Sequence, residues 1–395
     1  MKKNLHFHFI WALVAITAFV IGSHATSPDD SENTGSSKSK SKSTSAQLST
    51  RSNGDQNPPS GTKSGSKSTR RSSATSTPAT ILSEEDIAAL GQEFRTAKGP
   101  IARRLAFSEM LKNLTPENAK LMRENIVDLP QDSAEFREFH YAWGSIAGQE
   151  AILNGKDTPK RDMAAALAGW AATDSESAMA YFASLSPEEQ SDGSHMKWGV
   201  AFGLADADPQ LAAEFAIARF ENGDKEAPKM IHIAASAALR SGDRQEITSF
   251  LTSVPDGELS IQAHQHAARE LAKTDPAETV EWAVDLPDGD GKNHAVGTSF
   301  HMWAGRSAKE AAAAIASVPA DQRDAATYGY ATRVVHEDPA IGVEWAATIS
   351  NQEARGRALV DTGRVFYKRD REAANAWLAT SGLSPDQQQR ITGEK

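Results

Sequence analysis

The sequence predicts an all-α repeat protein, and three observations support this fold class. A motif of the form Asp-Pro-x-x-Ala-x-x-Trp, or a close variant, recurs seven times after residue 160, at intervals of 31 to 35 residues. Each copy lies between two stretches with the apolar periodicity of an amphipathic helix. The chain has no cysteine, so its folding relies on packing. We therefore predict an α-solenoid, or α-α superhelix, of about seven helical hairpins with an off-register helical N-terminal cap.

Residues 1–25 have the pattern of a signal peptide. Lys2 and Lys3 precede an apolar run from Phe9 to Gly22, and Ser23 and Ala25 are small residues at the −3 and −1 positions of a cleavage site. We predict cleavage between Ala25 and Thr26 and export to the periplasm or the cell exterior, with no stable membrane span afterwards. Retention of the apolar run as an anchor is the alternative, although the run is short for a membrane span.

Residues 26–81 form a segment rich in serine and threonine. Positions 26 to 80 contain 26 Ser or Thr residues and no aromatic residue, so this segment cannot bury enough apolar surface to offset its chain entropy. We predict a disordered tether. Its basic run from Lys38 to Lys42 is interpreted as solvated linker, with contact to an anionic envelope polymer as the alternative.

The charge is distributed unevenly along the chain. The whole chain carries −10; the two lysines of residues 1–25 and an excess of four positive charges in the tether leave −16 on residues 81–395. Because nucleic-acid binding normally needs a net basic surface, the sequence argues against a nucleic-acid partner for the folded part.

The chemistry of the motif explains why it recurs. Its anchors are Asp174, Asp208, Asp243, Asp275, Ser307, Asp338 and Asp370. The side-chain oxygen of Asp or Ser at such a position caps a helix by accepting a hydrogen bond from a backbone amide of the first turn. Pro in the next position has the φ angle that a helix start needs. Glu246, Glu278 and Glu310 follow their anchors by three residues and are expected to complete capping boxes. A small residue four after the anchor and an aromatic residue seven after it share one helix face, which indicates packing rather than cofactor binding.

The segments around the motif complete the predicted domain organisation. A helix of 11 to 13 residues precedes each anchor, and several second helices end at an apolar-Pro turn such as Val254-Pro255. One hairpin cannot bury its own apolar face, so residues 161–395 are predicted to be stacked hairpins, closed by a helix from Ser384-Pro385. In the cap, residues 82–160, we expect helices beginning at Ser83, Pro100, Thr115 and Asp132 or Ser133, the last of which runs past Trp143 toward Leu153.

The motif, as it stands at 275–283 and 338–346, resembles the helical-hairpin repeats of signal-bearing bacterial envelope proteins. More broadly, the repeat is similar to tetratricopeptide-type superhelices, over residues 163–383. It departs from that consensus because the Pro lies in the turn between the two helices and the first helix lacks the usual Trp/Leu-Gly/Tyr pattern. The resemblance implies protein or peptide binding on a curved surface.

No motif for catalysis or metal binding stands out. His264 and His266 are two residues apart on a predicted helix, which turns their side chains to different sides and disfavours chelation of one ion. The Asp288 loop departs from a calcium-binding loop, since Ser299 occupies the position of the terminal Glu. We expect no catalytic residues, no metal and no cofactor. The leading hypothesis is a non-enzymatic scaffold that binds a protein or peptide; the alternatives are an exported carbohydrate-active enzyme on an α/α toroid and a self-assembling structural protein.

One surface strip is a candidate binding site. If the apolar stripe of each first helix lies 12, 8 and 4 residues before the anchor, the positions 13, 9, 6 and 2 before it face elsewhere. Basic residues and histidines recur there: His266, Arg269, Lys273, His294, His301, His336, Arg357, Arg364 and Lys368. We predict that this strip binds an anionic partner, either an acidic protein segment or an envelope glycan, more tightly when the histidines are protonated near pH 6. A solvated helix face is the alternative.

Overall fold

The computed structural model describes residues 82–155, 162–190 and 195–393. The predicted signal peptide, its cleavage site and the tether lie outside the described residues. Within the described ranges the regular structure is entirely helical, which confirms the all-α class. These helices belong to one compact unit, Glu84–Lys395. None of the helices in these ranges is both long enough and apolar enough to span a membrane.

Five helices precede the first anchor-bearing pair. They are α1 (Glu84–Thr96), α2 (Pro100–Lys112), α3 (Ala119–Glu124), α4 (Ala134–Ala147) and α5 (Gln149–Gly155). The helix starts expected at Pro100 and Ser133 are confirmed. Two details were wrong. The helix expected at Thr115 begins at Ala119, because the Thr115 hydroxyl accepts the Asn118 amide and caps a turn instead. The last cap helix is divided at Gly148, which has a positive φ of 56°.

The remaining helices alternate around the anchors, and we call the helix before each anchor a leading helix and the helix after it a trailing helix. The leading helices are α6 (Met163–Thr173), α9 (Met196–Ala207), α11 (Ala227–Leu239), α13 (Glu258–Ala272), α15 (Asp290–Arg306), α17 (Arg323–Val334) and α19 (Gln352–Arg369). The trailing helices are α7 (Ser175–Ser184), α10 (Pro209–Glu221), α12 (Arg244–Ser253), α14 (Pro276–Val284), α16 (Ala308–Ile315), α18 (Pro339–Ala347) and α20 (Arg371–Thr380). A short helix, α8 (Pro187–Gln190), follows α7, and α21 (Pro385–Thr392) ends the described chain.

Every anchor caps its trailing helix, as predicted. The Asp275 carboxylate accepts the Glu278 amide at 3.0 Å, and the other anchors make equivalent bonds. The capping boxes expected at Glu246, Glu278 and Glu310 do not form. The amide of each of these anchors already donates to an earlier oxygen, as from Ser307 to the Trp303 carbonyl at 2.9 Å, so no free donor remains for the glutamate.

The small and aromatic positions of the motif are packing positions. The small residues four after the anchor are buried: Ala178, Ala212, Thr279, Ala311, Gly342 and Ala374. The aromatic residue seven after the anchor lies against a ring of its own leading helix in three hairpins, as for Trp345 on Tyr330, with ring centroids 4.7 Å apart. The tryptophans of the motif, Trp282, Trp345 and Trp377, are partly buried and pack against the core, in agreement with a packing role.

Each leading helix packs against the next leading helix along the chain. Several of these contacts bring backbones together at glycine. A Cβ added at Gly329 of α17 would lie 1.9 Å from the carbonyl oxygen of Gly297 in α15, and one added at Gly203 of α9 would lie 2.2 Å from that of Ala168 in α6. Only residues without a side chain fit there, so glycine determines how closely the leading helices approach.

Polar side chains of one hairpin cap the helix ends of its neighbour. The Arg240 guanidinium donates to the Ala205 carbonyl at 2.8 Å, and Arg306 donates to the Thr274 carbonyl at 3.1 Å. At the other end of the helices, the Asp324 carboxylate accepts the amides of Ser350 and Asn351, each at 2.8 Å. These bonds satisfy terminal backbone groups that a single hairpin leaves open.

Candidate ligand groove on the leading helices

A groove of about 790 Å³ crosses four consecutive leading helices, α13, α15, α17 and α19. Its volume lies in the range of ligand pockets in proteins. The groove exists because α15 and α17 present small residues, Gly297, Ala325 and Gly329, between larger side chains. The close approach of Gly329 to Gly297 therefore also forms part of the groove lining.

Four of the nine residues of the predicted strip line this groove: Arg269, His294, His301 and Arg357. The other five do not belong to its lining. Lys273 is bonded to Glu270 at 2.7 Å, and Arg364 donates to the Arg390 carbonyl at 2.7 Å and so caps the end of α21. His336 and Lys368 are exposed beyond the groove.

His266 is placed between two helices rather than on an open surface. Its ring stacks on His232 of α11, with centroids 4.9 Å apart, and its Nε2 is 2.7 Å from the Ser236 hydroxyl. Burial, together with the charge of the neighbouring His232, lowers the pKa of His266 to about 4. His266 therefore lies against the preceding leading helix and outside the groove lining.

His264 points away from His266, as predicted. Its Nδ1 is 2.8 Å from the Ser260 carbonyl, and its ring occupies the space beside Gly291 at the start of α15. Among the described residues, no group of three or more His, Asp or Glu side chains could hold a metal ion.

One end of the groove carries positive charge. Arg269 is exposed and makes no hydrogen bond or ion pair with the described part of the chain. His301 lies close by, with Nδ1 3.3 Å from the Thr332 hydroxyl. Burial lowers the pKa of His301, and the nearby positive charges of Arg333 and Arg269 contribute to the same shift. Groups of like charge therefore converge here.

The other end carries aspartates that the sequence interpretation missed. Asp321 precedes α17, is exposed and has no partner among the described residues. Asp324, in the first turn of α17, is engaged by the two amides at the start of α19. Arg357 shares this end, but Glu353 lies 3.4 Å from its guanidinium. With Arg269 included, the lining holds two arginines and two aspartates, so the groove is zwitterionic rather than uniformly basic.

Neutral polar groups lie between the two ends. Asn293 and Thr298 of α15 make no side-chain hydrogen bond with the described residues, whereas the Gln265 amide is 3.3 Å from His294 Nδ1. The Tyr328 hydroxyl donates to the Asp361 carboxylate at 2.7 Å, and burial raises the pKa of Tyr328 to about 12. Tyr328 is thus a neutral wall residue, and the groove offers free amide and hydroxyl groups to a ligand.

The predicted strengthening near pH 6 is not favoured by the histidines that line the groove. Burial lowers the pKa of His294 as well, and Arg357 contributes. Because the pKa of both His294 and His301 lies below its ordinary value, each carries less positive charge at pH 6 than an unperturbed histidine would. The permanent positive charges in the groove lining are those of Arg269 and Arg357.

The buried carboxyls with a raised pKa lie elsewhere and hold helices together. Burial raises the pKa of Asp206, which nonetheless bonds Arg240 at 2.9 Å and the Tyr141 hydroxyl at 3.0 Å, joining α4, α9 and α11. Burial also raises the pKa of Glu138, which is 2.8 Å from Arg104. Both carboxyls are structural clamps outside the groove.

Comparison with known proteins gives no relative for this arrangement of helices. No family model, curated protein or solved structure matches the chain. The resemblance to envelope repeat proteins therefore rests on the motif alone, and the role of the groove has to be argued from its own chemistry.

Proposed function

We propose that the folded part is a non-enzymatic scaffold that binds an extended segment of another protein in this groove. One observation carries the proposal: the groove crosses four successive leading helices and presents polar groups that the fold does not use, notably Arg269, Asn293 and Asp321. Unused charged and amide groups in a concave site are typical of recognition surfaces.

We further propose that the hairpins form an open α-solenoid. The order in which the helices contact one another supports this, because each leading helix packs on the next and α19 packs on α21. A closed toroid would need the two ends of the array to meet. Among the described helices, no substantial contact joins α1–α5 to α17–α21. Open arrays of this kind present extended binding surfaces.

The chemistry of the groove favours a peptide over a polyanion. Carboxamides such as those of Asn293 and Gln265 can donate to and accept from peptide groups. A uniformly anionic glycan or nucleic acid would meet Asp321 and Asp324 in the groove and a net charge of −16 on residues 81–395. Because the N-terminal pattern predicts export, we expect the partner in the cell envelope or outside the cell.

The enzyme alternative has less support. A glycosidase needs a carboxylic acid and a carboxylate about 5–10 Å apart at the substrate. In the groove, Asp324 is occupied as a helix cap. The carboxyls with raised pKa, Asp206 and Glu138, are bonded to arginines outside the groove.

The test is binding of a displayed library of random peptides to the full-length chain. We expect enrichment of a defined set of sequences, and loss of that enrichment in the Arg269→Glu/Arg357→Glu variant. Arg364 is unsuitable for this purpose because it caps α21. Lys309→Glu, on the exposed side of α16, is the control for an added negative charge and should bind like the parent. Enrichment that survives the double reversal contradicts the proposed site.

A further inference from the structure

The groove carries two charged side chains that nothing in the described chain neutralises. Arg269 lies in the last turn of α13, and Asp321 lies just before α17. The helix between them, α15, contributes the largest share of the groove lining. A ligand that crosses α15 therefore meets a positive charge on one side and a negative charge on the other.

The relative height of the two charges follows from the register of the helices. Gln265 is bonded to His294, 29 positions later, and His301 to Thr332, 31 positions later. His232 and Ser236 of α11 are likewise each bonded to a residue 30 positions later in α13. In each pair of helices a later residue of one helix is bonded to a correspondingly later residue of the next. Neighbouring leading helices therefore run parallel, and residues about 30 positions apart lie side by side.

This register fixes the span that a ligand must bridge. Along the helix axis, Arg269 of α13 is level with the residue 29 positions later in α15, and that residue is level with the one a further 31 positions later in α17, which is Gly329. Gly329 follows Asp321 by eight residues. The six helical steps from Arg323 to Gly329 rise about 9 Å, the turn that carries Asp321 adds about 3 Å, and two helix spacings add about 16–20 Å sideways. The diagonal is about 20–23 Å, which an extended chain covers in about six residues.

We propose that the groove recognises a charge pattern: an extended peptide with an acidic residue that reaches Arg269 and a basic residue that reaches Asp321, about six positions apart. This inference rests on the proposed function and adds the ligand's chemistry. Arg357 does not cancel the negative end, since Glu353 already lies against it. Asp324 adds to that end, although both of its oxygens accept backbone amides.

The residues between the two charges should be neutral. The middle of the groove is lined by Gly297, Thr298 and Asn293, which offer space and hydrogen bonds but no charge. A further acidic residue there would approach Asp324, and a further basic residue would approach Arg269. Polar or small side chains therefore fit this part best.

The experiment uses three fluorescent peptides of identical composition, each with one Glu and one Lys among neutral polar residues. One has Glu six positions before Lys, the second has Lys six positions before Glu, and the third has the two charges adjacent. Fluorescence anisotropy gives the affinity of each for the full-length chain. We expect one of the spaced peptides to bind about tenfold more tightly than the adjacent one, because only it can satisfy both ends of the groove.

A double charge exchange, Arg269→Glu with Asp321→Lys, should reverse the preference between the two spaced peptides while leaving the net charge unchanged. The matched control exchanges two adjacent exposed residues of α16, Lys309→Glu and Glu310→Lys, and should leave the preference as in the parent. Circular dichroism checks that each variant is folded. If the exchange variant is unfolded, Arg269→Ala is used in its place and should weaken the binding of the preferred peptide.

The possible failures are distinguishable. Equal binding of all three peptides would overturn the charge pattern but not the peptide groove. Absence of binding by these peptides and by the displayed library would overturn the proposed function itself. Tighter binding of polyglutamate or heparin than of any of the three peptides would show a site for polyanions, and would overturn the charge pattern and the peptide class together.

Discussion

The packing of the leading helices predicts a large effect for a single methyl group at Gly329. In Gly329→Ala, the new Cβ would lie 1.9 Å from the Gly297 carbonyl oxygen and 2.7 Å from its carbon. Both obstacles are backbone, so α15 and α17 must separate by about 1 Å or more. Overpacking of this kind costs up to about 3 kcal/mol, against a gain of about 1 kcal/mol from replacing Gly with Ala in a helix. We expect a net loss of about 2 kcal/mol in the free energy of unfolding.

Gly305→Ala is the matched control at the same helix pair. Its Cβ would meet only the Arg333 side chain, at 2.9 Å, and that side chain can move. Thermal unfolding followed by circular dichroism should show Gly329→Ala about 3 °C below the parent, for a cooperative unit of about 300 residues. Gly305→Ala should unfold at or above the parent temperature. If the two variants unfold together, the close approach of α15 and α17 is not present in solution.

Two further predictions concern His266 and Asp324. The pKa of His266 is about 4 in the folded chain, below its unfolded value, so the unfolded state takes up a proton first as the pH falls; stability should therefore drop by about 2 kcal/mol between pH 7 and pH 5 through this residue. Urea unfolding of His266→Gln should show a correspondingly weaker pH dependence, and parallel curves for the two proteins would refute the assignment. Asp324→Ala removes the acceptor of the Ser350 and Asn351 amides and should cost about 1–2 kcal/mol. Asp321→Ala, which breaks no such bond, should stay within about 0.5 kcal/mol of the parent, and an equal loss in both variants would contradict the capping role.

The elements that the sequence predicted well depend on local chemistry. An anchor such as Asp275 caps the helix that follows it through a bond three residues away, so its role can be inferred without knowing the neighbours. The buried small and aromatic positions follow from helical periodicity in the same way. The capping boxes failed for an equally local reason, since the anchor amide already belongs to the end of the preceding helix.

The candidate site was harder to predict because it depends on how successive hairpins align. His266 and Arg269 are both on the face assigned to solvent, yet His266 is covered by His232 of the preceding leading helix and Arg269 is open. Asp321 was missed because it lies in the turn between two hairpins. Only the alignment of successive leading helices places that turn beside the groove. The glycines at 297 and 329 carried a usable signal, since each aligns with a small residue of the neighbouring leading helix.

Glycine on a central helix has different consequences at two places among the leading helices. At Gly169 of α6, the flanking helices come close enough for Tyr141 of α4 to bond Asp206 of α9 across it. At Gly329 of α17, the flanking side chains leave an open groove instead. The same close packing at glycine therefore allows a hydrogen bond between the flanking helices at one place and an open groove at the other.

The most direct test of the binding groove is site-specific photocrosslinking in the cell that makes the protein. A benzophenone side chain at Thr298, in the middle of the groove, is compared with one at Glu344, exposed on trailing helix α18. Mass spectrometry of the crosslinked peptides identifies the segment captured. We predict that the benzophenone at position 298 captures one defined segment of another protein, bearing opposite charges about six residues apart, and that this capture is lost in Arg269→Glu. Capture of the same segment from Glu344 with equal yield, or capture from Thr298 that Arg269→Glu leaves unchanged, would contradict it.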